Sequence, residues 1–135
     1  MANERIQGCG FHHLALRVRD FDRSFAFYTQ TLGFKLRTSW GEGDKHVALL
    51  DIGDGGCIEL FAGGAETQPE GLFWHVAFKA ADVDAAFAAA RAAGAEEHIA
   101  PKDVLLGDGD VKIPARIAFV RGFDGELLEF FCEKE

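Results

Sequence analysis

An internal repeat constrains this chain more than any other feature of its sequence. The segment FHHLALRVRD at residues 11–20 recurs as FWHVAFKAAD at residues 73–82. In this alignment His13 matches His75, whereas His12 matches Trp74. Because a repeat of this kind is one supersecondary unit used twice, we expect the two halves of the chain to fold alike.

A second match lies near the end of each half. The segment DGGCIELF at residues 54–61 aligns with DGELLEFF at residues 124–131, and this alignment pairs Glu59 with Glu129. Asp-Gly favours a turn, and the apolar residues after it favour a strand. The sequence therefore predicts a final strand in each half with a glutamate at the same place.

Each half also contains a helical pattern after its first strand. Asp20 and Asp82 are the predicted N-caps, and Gly33 and Gly94 are predicted to end the two helices. Strand-like runs follow at residues 34–40, 46–52, 97–100 and 115–120. We therefore predict an α+β fold made of two βαβββ modules.

The length of 135 residues predicts a single domain. We expect module one at about 11–62, a polar, Gly-rich linker at 63–71 and module two at about 72–132. The stretch PKDVLLGDGDVKIP at residues 101–114 is predicted to be the longest loop. A loop of that length in a compact domain is often functional.

Composition excludes several classes of function. No apolar run is long enough for a transmembrane helix, and the polar segment MANERIQGCG does not resemble a signal peptide, so we expect a cytoplasmic protein. Three cysteines without a C-x-x-C spacing predict free thiols. A net charge of −8 argues against a nucleic-acid partner, because no basic stripe is present to neutralise phosphates.

Strand alternation decides which side chains share a face of each first strand. His13 and Arg17 fall on one face in the first half, and His75 and Lys79 do so in the second half. Apolar residues occupy the opposite faces, where the following helices should pack. His12 belongs to the apolar set and is predicted to be a packing residue at the edge of its strand.

The two glutamates each stand alone within an apolar strand. An unpaired carboxylate is costly there, so Glu59 and Glu129 each need a cation, hydrogen bonds or a metal. With His13 and His75 they form a set of nitrogen and oxygen donors that suits a divalent metal. The repeat therefore indicates a metal site with one histidine and one glutamate from each half.

Two interpretations without a metal fit the same residues. The repeat can preserve these side chains as relics of a duplicated fold. Alternatively, Arg17 and Lys79 pair with the glutamates and form a salt-bridged cavity.

The sequence resembles the vicinal oxygen chelate superfamily and, within it, glyoxalase I. The similarity covers about residues 11–131 and is carried by HHLALRVRDFDRSFAFYTQTLGF, the second histidine strand and the terminal DG-x-x-x-E. It implies that paired βαβββ modules form a curved, cup-like mixed sheet with a metal at its centre. It also implies that His13, Glu59, His75 and Glu129 are the metal ligands.

The resemblance further implies a reaction, that of a metal-dependent isomerase or lyase similar to lactoylglutathione lyase. The metal chelates two neighbouring oxygens of the substrate and stabilises an enediolate. Glu129 is the implied base that moves a proton between adjacent carbons, and Glu59 lies on the opposite side of the substrate. The implied substrate is a small thiol hemithioacetal, with glutathione as cosubstrate.

The substrate-binding positions agree only in part with the family. Arg17 matches a family arginine four residues after the first histidine, and Lys112 matches a family lysine, so both are implied substrate-binding residues. Gly63 stands where the family usually has an asparagine that contacts glutathione, and Gly71 stands where it has an arginine. Two glutathione contacts are therefore expected to be missing.

Other activities of the same superfamily are alternatives. They are a CoA-thioester epimerase, an iron extradiol dioxygenase, a fosfomycin-type thiol transferase and a non-enzymatic drug-binding protein of the bleomycin resistance kind. Glu59 argues against the dioxygenase and the transferase, because a fourth protein ligand fills a position that those reactions need open. The aromatic residues would suit drug binding, although aromatic residues also build cores.

The resemblance leaves the metal and the assembly partly open. Two histidines and two carboxylates suit Ni, Zn, Co, Mn or Fe. The family implies a homodimer that acts on a small molecule. The metal site is built either within one chain or across two chains.

Overall fold

The chain folds as two compact units, Met1–Gly64 and Ala65–Glu135. The computed structural model describes residues 1–5, 7, 9–69, 71, 73–107 and 110–134. Each unit contains one copy of the repeat and one four-stranded sheet. Among the described residues, no helix has the length and apolarity needed to cross a bilayer.

The first unit has the order β-α-β-β-β. Its elements are β1 (His13–Arg17), α1 (Phe21–Ala26) with a π-helical turn (Phe27–Thr31), β2 (Lys35–Trp40), a 3₁₀ turn (Gly43–Lys45), β3 (Val47–Asp51) and β4 (Cys57–Phe61). The strands lie in the order β1-β4-β3-β2. β1 runs parallel to β4, and the other neighbours are antiparallel.

The second unit repeats this topology. Its elements are β5 (His75–Lys79), α2 (Val83–Ala92), β6 (Glu96–Leu106), β7 (Ile113–Arg121) and β8 (Leu127–Glu133). The strand order is β5-β8-β7-β6, with β5 parallel to β8. The predicted α+β fold of two βαβββ modules is therefore confirmed.

Both predicted N-caps are confirmed. The carboxylate of Asp20 accepts a hydrogen bond from the backbone N–H of Arg23 at 3.1 Å, and that of Asp82 accepts from the N–H of Ala85 at 2.9 Å. These bonds satisfy N–H groups that the first turn of a helix leaves unpaired. The two caps fix the residue at which each unit passes from its first strand into its helix.

The first helix departs from the predicted α-helix in its second half. The N–H of Leu32 bonds to the carbonyl of Phe27, five residues earlier, which is the π-helical pattern. The hydroxyl of Thr29 donates to the carbonyl of Phe25 at 2.6 Å, so that carbonyl is shared with a side chain. Such back-bonding bends helices.

The prediction of a long loop at residues 101–114 was wrong. β6 extends to Leu106 and β7 begins at Ile113, so most of the predicted loop belongs to strands, and residues 108 and 109 lie outside the described part of the chain. Register shifts between Glu97 and Ile99 and between Ile99 and Lys102 interrupt the alternation on β6. Because of these irregularities and the proline inside the second one, the sequence of β6 does not show the regular alternation that predicts a strand.

The side of the second sheet that α2 covers can be read from one ion pair. Arg116 of β7 donates to Asp84 of α2 at 2.8 Å, so α2 lies on the face to which Arg116 points. Residues at odd positions of β7, such as Phe119, therefore point to the opposite face. That opposite face carries the candidate site of this unit.

Candidate metal centre

One histidine and one glutamate come together in the first unit. β1 and β4 are parallel neighbours, and Ala15 lies directly beside Glu59 in their register. His13 therefore shares a face with Glu59 at a diagonal position. Its Nε2 atom lies 3.5 Å from Oε1 of Glu59.

The second unit forms the equivalent pair. β5 and β8 are parallel neighbours, with Ala77 beside Glu129. The Nε2 atom of His75 lies 3.3 Å from Oε1 of Glu129. Each unit thus places one histidine and one glutamate on the same face of its sheet.

The two glutamates differ in their surroundings. Glu129 is buried, and Phe119 lies directly opposite it on β7. Apolar residues of the same face pack together around this position: Ala115, Ile117, Phe119, Leu127 and Phe131. Burial raises the pKa of Glu129 above the usual range of a glutamate, and the neighbouring His75 offsets part of that rise. The Glu59 side chain is slightly more exposed, at 14% against 10% for Glu129.

The geometry of each pair fits two ligands of one divalent metal ion. Ligand atoms bound at about 2.1 Å and about 90–110° apart are about 3.0–3.4 Å from each other. The separations of 3.5 Å and 3.3 Å lie close to that range. Imidazole nitrogen and carboxylate oxygen are also donors that Ni, Zn, Co, Mn and Fe accept.

In the described part of each unit, one histidine and one glutamate form the pair of donors. Within the part of the chain that the structure describes, no group of three or more His, Cys, Asp or Glu side chains is close enough to hold a metal. The set of four ligands therefore stays a prediction, with two of its members brought together in each unit.

The predicted substrate-binding residues lie at exposed positions. Arg17 ends β1 on the face of His13, and Lys112 immediately precedes β7. Both assignments stay predictions.

The prediction that His12 is a packing residue was wrong. His12 is exposed and precedes β1, and its carbonyl accepts a hydrogen bond from the N–H of Cys57 at 2.8 Å. Its ring turns toward His13, and the two Nδ1 atoms are 2.9 Å apart. In the second unit Trp74 occupies the equivalent position and meets the ring of His75 edge-on, with centroids 5.0 Å apart. The only signal of this contact in the sequence is the adjacent pair of histidines.

A pocket of about 660 Å³ lies at the carboxyl ends of β1 and β4. Its lining includes Gly63, three carboxylates, one arginine and one histidine: Asp20, Asp22, Asp44, Arg19 and His46. Gly63 has a φ of 80°, and a Cβ there would lie 3.0 Å from the carbonyl oxygen of Asp44. A side chain at this position would be strained. The backbone conformation therefore favours glycine here over the asparagine that the family resemblance predicts.

Comparison with known families decides the identity of the fold. The family model of the Glyoxalase/Bleomycin resistance protein/Dioxygenase superfamily matches residues 10–130. The chain belongs to this superfamily. Its members include the glyoxalase, drug-resistance and dioxygenase proteins for which the superfamily is named.

Similar proteins agree with this membership over nearly the whole chain. The probable lactoylglutathione lyase of Vibrio cholerae is 32% identical over 142 residues, covering 100% of this chain and 95% of that protein. The lactoylglutathione lyase of Haemophilus influenzae is 36% identical over 130 residues, covering 90% and 91%. A glyoxylase/bleomycin resistance protein/dioxygenase domain from Frankia sp. EAN1pec matches with a TM-score of 0.76 and 25% identity, covering 94% of this chain and 93% of that chain.

Proposed function

We propose that this superfamily member is a metal-dependent enzyme of the glyoxalase I type, which isomerises a thiol hemithioacetal to a thioester. The observation that carries the proposal is the histidine–glutamate pair that recurs on equivalent strands of both units, at 3.5 Å and 3.3 Å. Relatives named as lactoylglutathione lyases support it. A fold relic would not need to keep both pairs at the separation of metal ligands.

His13, Glu59, His75 and Glu129 are the proposed ligands of a divalent metal. A bound metal would polarise the substrate carbonyl and make the neighbouring C–H group more acidic. The histidines supply neutral nitrogen donors, and the glutamates supply hard oxygen donors that exchange readily. We further propose that the protein acts as a homodimer, as the family resemblance implies.

Glu129 is the proposed base. Its carboxylate takes the proton from the carbon that bears the hydroxyl group and returns it to the adjacent carbonyl carbon, so that no atom is gained or lost overall. The apolar residues around Glu129 raise its pKa, and a carboxylate with a raised pKa is a stronger base. Glu59 lies in the equivalent position of the other unit and is proposed to act from the opposite side of the substrate.

Arg17 and Lys112 are the proposed contacts to the thiol part of the substrate. The pocket beside Gly63 is lined by three carboxylates and one arginine. This excess of negative charge disfavours an anionic thiol cosubstrate. The missing side chains at Gly63 and Gly71 point the same way. A thiol cosubstrate with less negative charge than glutathione therefore suits this protein better.

A turnover assay tests the proposal. Protein is loaded separately with nickel, zinc, cobalt and manganese, and metal occupancy is measured before the assay. Methylglyoxal premixed with glutathione, or with the neutral thiol N-acetylcysteamine, is the substrate, and thioester formation is followed. We expect turnover with at least one thiol and a fall of about 10²–10⁴-fold in Glu129→Gln.

Glu133→Gln is the matched control, because Glu133 is an exposed glutamate on the same strand. It should turn over at the wild-type rate. Full metal occupancy without thioester formation from either thiol would contradict the proposed reaction. Equal rates in Glu129→Gln and Glu133→Gln would contradict the role of Glu129.

A further inference from the structure

The two histidine–glutamate pairs differ in the residue that precedes the histidine and contacts its ring. In the first unit the ring of His12 contacts the ring of His13 through nitrogen atoms, with the two Nδ1 atoms 2.9 Å apart. In the second unit Trp74 takes the place of His12. An indole N–H only donates hydrogen bonds, so Trp74 cannot accept a hydrogen bond from the Nδ1–H of His75 through its ring nitrogen.

A separation of 2.9 Å between two ring nitrogens is a hydrogen bond, so one of them carries the hydrogen. The arrangement has two forms. If His12 donates, the hydrogen of neutral His13 sits on Nε2 and points toward Glu59. If His13 donates, its Nε2 has a free lone pair beside the Glu59 carboxylate.

Only the second form leaves His13 able to bind a metal, because a ligating nitrogen must be unprotonated. The distances favour it as well. The 3.5 Å between Nε2 of His13 and Oε1 of Glu59 exceeds the 2.7–2.9 Å of a charge-assisted hydrogen bond. The short contact of the His13 ring is the one to His12.

We propose that His12 is a positioning residue: its Nδ1 accepts the Nδ1–H of His13 and holds the tautomer whose Nε2 faces Glu59. His12 itself then carries its hydrogen on Nε2 of an exposed side chain. Groups that hold the second nitrogen of a ligating histidine orient the ring and increase its basicity. This inference rests on the proposed function, since it concerns the binding of the same metal.

The first test measures metal affinity with zinc as the probe. His12→Phe keeps an aromatic ring and removes the acceptor, and we expect its zinc dissociation constant to rise about 10- to 100-fold. His12→Asn returns an acceptor oxygen close to the position of Nδ1 and should recover most of the affinity. Trp74→Phe is the matched control at the equivalent position, where no acceptor is lost, and it should bind zinc as the wild type does.

The second test reads the tautomer directly by long-range ¹H–¹⁵N NMR of the zinc-loaded protein. We expect His12 to be protonated at Nε2 and unprotonated at Nδ1, and His13 to be protonated at Nδ1. A merely structural role of His12 would not fix these two states. His12 protonated at Nδ1, or unchanged zinc affinity in both His12 variants, would overturn the inference.

The failure of this inference can be told apart from failure of the proposed function. If wild-type protein binds zinc and His13→Ala weakens that binding, the metal site stands, and unchanged affinity in His12→Phe overturns the role of His12 alone. If His13→Ala binds zinc as tightly as the wild type, His13 is not a ligand. In that case the proposed site and the inference both fall.

Discussion

Glu59 and Glu129 occupy equivalent positions of the repeat, and the surroundings of Glu129 indicate how its carboxyl group behaves. Glu129 lies opposite Phe119 within an apolar cluster, and burial raises its pKa. The charged form of a carboxylate is disfavoured in such a place unless a cation lies near it. A metal ion would supply that cation, and a base with raised proton affinity would remain when the carboxylate leaves the metal.

The raised pKa of Glu129 predicts how the stability of the metal-free protein depends on pH. A carboxyl group whose pKa is higher in the folded state binds its proton more tightly there, so it favours folding below its unfolded pKa. That contribution is lost as the pH rises from the ordinary value of 4.5 through the raised value. We therefore expect the free energy of unfolding of Glu129→Gln to fall less than that of the wild type as the pH rises.

Urea unfolding at pH 4.5 and at pH 7 measures this difference. Metal-free Glu129→Gln should gain stability relative to the wild type as the pH increases, whereas the control Glu133→Gln should follow the wild type. A wild-type free energy of unfolding that changes with pH as it does in Glu129→Gln would contradict the raised pKa.

At the scale of single residues, the repeat was sufficient to select the four candidate ligands. His13 and His75 stand in matching strands, and Glu59 and Glu129 stand in matching strands, so comparison within one sequence separated them from the other histidines and carboxylates. The contact of His12 was not predictable in the same way. His12 lies just before the strand, where alternation no longer says which way a side chain points.

At the scale of elements, each helix begins where a cap fixes it. Asp82 accepts a hydrogen bond from the N–H of Ala85, and α2 then packs on β7 and β8. We expect Asp82→Ala to lower the free energy of unfolding by about 1 kcal/mol, because the cap hydrogen bond to the N–H of Ala85 is lost at the start of the helix. Chemical denaturation measures this loss.

Asp82→Asn is the matched control, since asparagine caps helices about as well as aspartate. It should keep nearly all of the stability that Asp82→Ala loses. If both variants lose the same amount, the charge of Asp82 rather than its hydrogen bond stabilises the helix.

The elements were predictable where one period runs without interruption. β1, β4, β5 and β8 are short and carry regular alternation or follow an Asp-Gly turn, and both helices have clear caps. β6 was truncated in the prediction because its register shifts at two places. The π-helical turn after Ala26 is accompanied by a hydrogen bond from the Thr29 hydroxyl to the carbonyl of Phe25, which periodicity does not reveal.

At the scale of the whole molecule, the two units use the same topology to present the same pair of donors. The strand orders β1-β4-β3-β2 and β5-β8-β7-β6 are equivalent, and in each a parallel pair of strands brings histidine and glutamate together. Local patterns predicted the βαβββ order of elements in each unit because that order is repeated. The substrate is not predictable in that way, because it depends on side chains such as those missing at Gly63 and Gly71.

Metal occupancy in single-ligand variants tests whether both histidine–glutamate pairs bind the proposed divalent metal. Wild type, His13→Ala, Glu59→Ala, His75→Ala and Glu129→Ala are loaded with nickel, dialysed, and analysed for bound metal per chain by elemental analysis, with circular dichroism to confirm folding. We expect each of the four folded variants to retain much less metal than the wild type. Full metal retention after removal of either histidine from a folded protein would contradict it.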